Sequence, residues 1–170
     1  MSPTMSASAE QAQSLVHFLI SDFENETATT KRVLSAVPAG HENYTPHEKN
    51  MSALKLAWHI ASADAWFLNG IASGEFAGGE GEMPASIRSA ADVVKWYDDN
   101  IPQSIARVRA MTPEQCTRIL DLMGMMKLPA TVMLQLALKH SVHHRGQLST
   151  YLRPMGAKVP GIYGPSGDTQ

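Results

Sequence analysis

Cysteine is almost missing from this chain: Cys116 is the only one in 170 residues, which excludes an internal disulfide and a cysteine-rich zinc site and fits a reducing compartment. Any bound metal has to draw mainly on histidine or carboxylate. There is no basic block either. Fourteen Lys and Arg stand against sixteen Asp and Glu for a formal charge of -2, so nothing tracks a phosphate backbone and nucleic acid is not an expected partner. No apolar run reaches the length that spans a bilayer. The Ser/Ala-rich start, Met1 to Gln11, lacks both the positive n-region and the apolar h-region of a signal peptide. Together these absences predict a soluble, cytoplasmic protein with no membrane partner.

Strict alternation of apolar and polar residues is also lacking, which argues against strands, while helical apolar periodicity recurs in four long segments. The first runs from about Ala9 to Val37 and carries Leu15, Phe18, Leu19 and Phe23 before the breaker cluster Pro38-Ala39-Gly40. A second follows the capping-box pattern Thr45-Pro46-His47-Glu48 and extends to about Ser73. After a Gly/Glu-rich loop, a third begins near Ser86 or Ser89 and ends near Ala110, with a kink expected at Pro102. Thr112-Pro113-Glu114-Gln115 caps a short helix expected to end near Gly124, and the last long helix spans about Pro129 to Arg153. The length suits one domain over 1–170, with 1–8 and 164–170 read as flexible ends. The expected fold is all-α: a four-helix bundle with a long connection and a Gly/Pro-rich tail anchored by Ile162 and Tyr163.

Most conspicuous among the residues that are present is the string His140-Ser141-Val142-His143-His144-Arg145-Gly146-Gln147, three imidazoles and a guanidinium on an apolar helix. His140 and His144 share a stripe with Met133, Ala137, Leu148 and Tyr151, and His143 falls at its margin. On the second helix His59 lies on a stripe with Leu56, Ala63, Trp66 and Phe67 and points inward. Two histidines at i, i+4 and a third from a facing helix give three nitrogen ligands, the count of catalytic zinc sites that keep one position for water. Nickel, iron or manganese suit the same nitrogens. Spacing alone leaves the plainer alternative open, in which hydrogen-bonded core histidines hold no ion. Arg145 and Gln147 are candidates for orienting ligands or touching substrate, or for ordinary hydrogen bonding near a helix end. Gly146 suggests close approach of another backbone.

The chain resembles the DinB-like (DinB/YfiT-like) metalloenzyme family over most of its length. The resemblance rests on Leu56-Ala57-Trp58-His59-Ile60, on His140 through Gln147 with the following Leu148-Ser149-Thr150-Tyr151-Leu152-Arg153, and on Val159-Pro160-Gly161-Ile162-Tyr163-Gly164-Pro165-Ser166. It implies an antiparallel-type four-helix bundle, frequently dimeric, with a three-histidine site for a divalent metal such as zinc or nickel. Matched residue by residue, the ligands it implies are His59, His140 and His144; from helical spacing, His143, Arg145 and Gln147 stand beside them as candidates for orienting ligands or touching substrate.

The superfamily includes thiol-dependent S-transferases and isomerases, so the resemblance implies a metal-dependent enzyme of hydrolase or thiol S-transferase type acting on a small molecule, in one case a low-molecular-weight thiol. The competing expectation is a non-catalytic metal-binding stress or regulatory module, or a dimeric helical scaffold. No catalytic acid or base is identified. Asp64, Asp22 and Glu26 are the few candidate helpers, each more commonly a solvated surface charge than an acid or base; Trp58, Trp66 and Tyr151 have the spacing of core residues rather than pocket walls, and His17, His41 and His47 are expected on the surface. Met123, Met125, Met126 and Met133 read as core filler.

Overall fold

A computed structural model describes residues 8–79 and 81–169. Four long helices carry the architecture: α1 (Ala9–Ser35), α2 (Ala53–Ser73), α3 (Ala90–Arg109) and α5 (Ala130–Leu152). Between α3 and α5 lie a single helical turn, α4 (Pro113–Cys116), and a hairpin of β1 (Ile119–Leu122) and β2 (Met126–Pro129); a 3-10 turn, Arg153–Met155, follows α5. The expected flexibility of 1–8 falls outside the described residues except at Ser8, whose side chain accepts the Gln11 amide and closes a capping box on α1. The far end of the tail is hydrogen-bonded: Asp168 accepts from Arg153 Nε and the Val159 amide, at 3.0 and 2.9 Å.

Packing follows the apolar stripes. α1 and α2 each pack against both α3 and α5, so the four helices surround one core of Ile20, Phe23, Leu34, Leu56, Ile60, Leu68, Ile101, Met133 and their neighbours. Side-chain pairs fix the directions. Glu24 meets Arg109 while Lys31 meets Asp98, so α1 and α3 run antiparallel. Met51 meets Tyr151, and His59 meets His144, so α2 and α5 also run antiparallel. Trp58 meets Trp96 and Asn69 meets Arg107, which makes α2 and α3 parallel. By the same directions α1 and α5 run parallel, so of the four packed pairs α1/α3 and α2/α5 keep the expected antiparallel order and α2/α3 and α1/α5 do not.

Four local expectations also change. Helix α2 begins at Ala53 behind an N-cap at Ser52, not at Pro46. Thr45 Oγ1 donates to His47 O at 2.6 Å, and the Asn50 amide donates to the same carbonyl, so the Thr side chain closes a turn instead of capping a helix. The short helix stops at Cys116, and the stretch expected to continue it forms the hairpin, with Leu122 facing Met126 across the turn. Met123 and Gly124 both have positive φ (53° and 75°), as the mirror-image turns of hairpins require, and Asp121 Oδ1 accepts the Gly124 amide at 2.7 Å. Of the supposed core methionines only Met133 is buried; Met123, Met125 and Met126 are exposed on the hairpin. Leu15 and Phe18 likewise face outward from α1. No helix among the described residues is long and apolar enough to cross a membrane.

Candidate metal centre

The antiparallel pair α2 and α5 brings His59 opposite His140 and His144. One ligand atom from each of the three lies within 4.8 Å of the other two, and all three side chains are half-buried. The ring centroids confirm the convergence: His59 is 5.0 Å from His140 and 4.5 Å from His144, which are 4.4 Å from each other. Because His140 and His144 are one helical turn apart on α5, a single histidine from α2 completes a compact set. The donors suit a divalent ion of borderline softness. Phe67, one turn from Ala63 on α2, closes one side with its ring 5.3 Å from that of His140.

The remaining residues of the string take different parts. Gln147 Oε1 lies 2.9 Å from His144 Nδ1; with that carboxamide oxygen accepting, Nδ1 carries the hydrogen and Nε2 keeps the lone pair a metal needs. His143 is exposed, its ring 4.8 Å from that of His144. Arg145 turns into the core and is 1% exposed. It forms an ion pair with Glu26 and also donates to Tyr163 Oη at 2.7 Å, so it binds α5 to α1 and to the tail. Tyr163 Oη in turn donates to Glu26 at 3.1 Å. A Cβ at Gly146 would meet nothing within 4 Å, so no other backbone approaches it. His17, His41 and His47 are exposed and apart from the site, as is Asp22.

Asp64 is the chief correction at the site. Expected on the surface, it is fully buried, because five residues beyond His59 on α2 it faces the junction with α3 and α5 rather than solvent. Its Oδ2 accepts Tyr97 Oη at 2.9 Å and Ser141 Oγ at 3.0 Å, while Oδ1 has no hydrogen-bond partner. Ser141 directly follows His140, so this carboxyl pins α2 to α5 where the histidines meet. Burial pushes the Asp64 pKa up to about 7, against the smaller lowering by Tyr97, Ser141, Arg145 and His59; burial, followed by the charge of Asp64, likewise raises that of Tyr97 well above its ordinary value. Neither residue could be found from spacing, although the Ser inside the histidine string was a visible hint.

A pH dependence follows. The unfolded chain releases the Asp64 proton near its ordinary 3.8 and the folded protein near 7, so between these values the folded state holds the extra proton. The stability this gives is fully present below the lower value and is lost as pH rises through the upper one. Urea unfolding of the metal-free protein should therefore show a loss of about 3 kcal/mol between pH 5 and pH 8 that Asp64→Asn abolishes. Equal pH slopes in the two proteins would contradict the assignment.

The fold and sequence are shared with known proteins. The uncharacterized Bacillus subtilis (strain 168) protein YjoA is 29% identical over 140 residues, 81% of this chain and 89% of YjoA. A second uncharacterized protein of that strain, YrdA, is 26% identical over 155 residues, 91% of this chain and 90% of YrdA. The crystal structure of YjoA, a DinB-like protein, superposes with a TM-score of 0.70 at 28% identity, covering 86% of this chain and 99% of that one. A DinB-like protein from Bacillus cereus ATCC 10987 superposes at 0.72 with 24% identity over 85% and 95% of the two chains, which shows the shared fold. The model of the DinB family matches residues 5–169, and the chain belongs to that family.

Proposed function

We propose that this protein is a metal-dependent enzyme for small molecules, of hydrolase or thiol S-transferase type, in which His59, His140 and His144 of a four-helix bundle hold one divalent ion. The observation that carries this reading is the count and placement of donors: three imidazoles from two helices, within 4.8 Å and half-buried rather than sealed. A closed structural zinc site uses four protein ligands, whereas three leave one position for a reactant. An ion held there supplies Lewis acidity and draws the pKa of a coordinated water or thiol toward neutrality. Zinc or nickel fits the nitrogens best, with iron or manganese as further candidates.

The chain's own residues do the rest. Gln147 holds the His144 tautomer, and Asp64 with Ser141 and Tyr97 keeps α2, α3 and α5 in register. Arg145 serves the reading indirectly, by locking α5 to α1 beside the site. The proposal extends to a low-molecular-weight thiol as co-substrate in the transferase case and to a homodimer in the cytoplasm.

Untagged protein loaded with zinc or nickel should be screened against electrophiles in the presence of several cellular thiols and against generic esters and amides. Turnover that is lost in His140→Ala, with the fold retained by circular dichroism, supports the enzyme. Stoichiometric metal without turnover in any class would replace it with a non-catalytic metal-binding stress or regulatory module, or a helical scaffold.

A further inference from the structure

All three tryptophans of the chain line one cavity of about 630 Å³ in the groove between α2 and α3. The histidine rings are not part of its lining. Its position follows from the parallel course of these helices: Trp58 meets Trp96 at one end and Asn69 meets Arg107 at the other, each pair eleven residues farther along, or about 16 Å. Between them Trp66 forms a wall, braced edge-on by Phe67 and Phe76, with ring centroids 5.0 Å away in both cases. Gly70 makes that brace fit, since a Cβ there would stand 2.4 Å from the Phe76 ring.

Two donors on residues lining this cavity lack an anionic partner among the described residues. Trp58 is 7% exposed, and its Nε1 is buried with no acceptor, an arrangement that leaves a desolvated N–H unsatisfied. Arg107 is exposed, and its guanidinium donates to the neutral Asn69 Oδ1 at 2.9 Å. Among the described residues it is in no ion pair with a carboxylate. Against these stands, among the described residues, a single carboxylate in the lining, the exposed Glu75. Indole walls favour a flat apolar body, and a guanidinium beside a groove favours a carboxylate, which it can hold through two parallel hydrogen bonds.

From these observations we infer that the α2/α3 groove is a binding site for an aromatic carboxylate, its ring lying against the tryptophans and its carboxylate on Arg107. The site goes beyond the metal centre and does not need it, although both lie on α2: Ser62, in the cavity lining, donates to the carbonyl of Trp58 at 2.8 Å, next to His59.

The three indole N–H signals of the full-length protein, labelled with 15N-tryptophan and assigned through single Trp→Phe variants, read this directly. Titration with 6-methoxy-2-naphthoate should shift all three saturably in the millimolar range or below. Arg107→Gln, an exposed change that leaves the core intact, should weaken binding about tenfold or more, and 2-naphthylmethylammonium should not compete. His59→Ala should bind the naphthoate as the unaltered protein does. Absence of saturable shifts, equal affinity in Arg107→Gln, or binding of the ammonium compound at least as tight would each overturn the inference. Loss of binding in His59→Ala would overturn its independence from the metal centre.

Discussion

Replacing His59 by Ala should reduce the zinc or nickel content of untagged protein from about one ion per chain to background, and remove the stabilisation the metal gives. The reason lies in topology. His140 and His144 come from one helix and offer two nitrogens a single turn apart, which many helices have without binding metal; His59 supplies the third donor from α2 and makes a two-helix clasp. An ion bound only by the folded state adds about 3 kcal/mol at a concentration a hundred times its dissociation constant. In thermal unfolding with and without added metal, the unaltered protein should gain this amount. His59→Ala should unfold at one temperature in both conditions. A variant that keeps a full complement of metal would show that the ion is held elsewhere.

Glu26→Ala is expected to be the most destabilising single change among the charged residues, by about 3 to 5 kcal/mol. It strands the guanidinium of Arg145, which is 1% exposed, leaving as its hydrogen-bond partners the hydroxyls of Thr30 and Tyr163 and the Glu26 backbone carbonyl. A cation in that position has lost its water and then its counter-charge. Replacing both partners together, Glu26→Leu with Arg145→Met, should cost far less, because no charge remains to be buried. Urea unfolding of the two single variants and the double variant closes a thermodynamic cycle. A coupling near zero would mean that the pair is a surface contact, which its burial argues against. Arg145 would in that event become available again for a role toward substrate.

The two sides of the molecule were legible in the sequence to different degrees, for physical reasons. Helix spacing placed His140, His144 and His59 on inward stripes, and all three converge because a three- or four-residue offset translates directly into position on one helix face. Asp64 escaped the same reasoning. Its offset of five from His59 puts it on another face, and a carboxylate is so costly to bury that composition argues for the surface. Only its partners, Tyr97 on α3 and Ser141 on α5, explain its position, and both are distant in sequence.

Short-range patterns misled where side chains had a second local partner. Thr45 and Glu48 have the spacing of a capping box, yet the Thr45 hydroxyl goes to the His47 carbonyl, and Ser52 caps the helix instead. The hairpin was hidden because each strand has four residues, too few for alternation to declare itself, and because Met123, Met125 and Met126 look like the interior of a helix. The tryptophan groove was illegible for another reason. Trp58 and Trp96 meet because α2 and α3 run parallel, and hydrophobic periodicity carries no information about helix direction.

The central claim is that one divalent ion is held by three imidazoles from two helices. X-ray absorption spectroscopy at the metal edge, on untagged protein carrying stoichiometric zinc or nickel, tests it most directly. The account predicts three imidazole nitrogens at about 2.0 to 2.1 Å with at least one oxygen from water, and no stoichiometric metal in His59→Ala. A first shell made of oxygens, or one with fewer than three imidazoles in the unaltered protein, would contradict it.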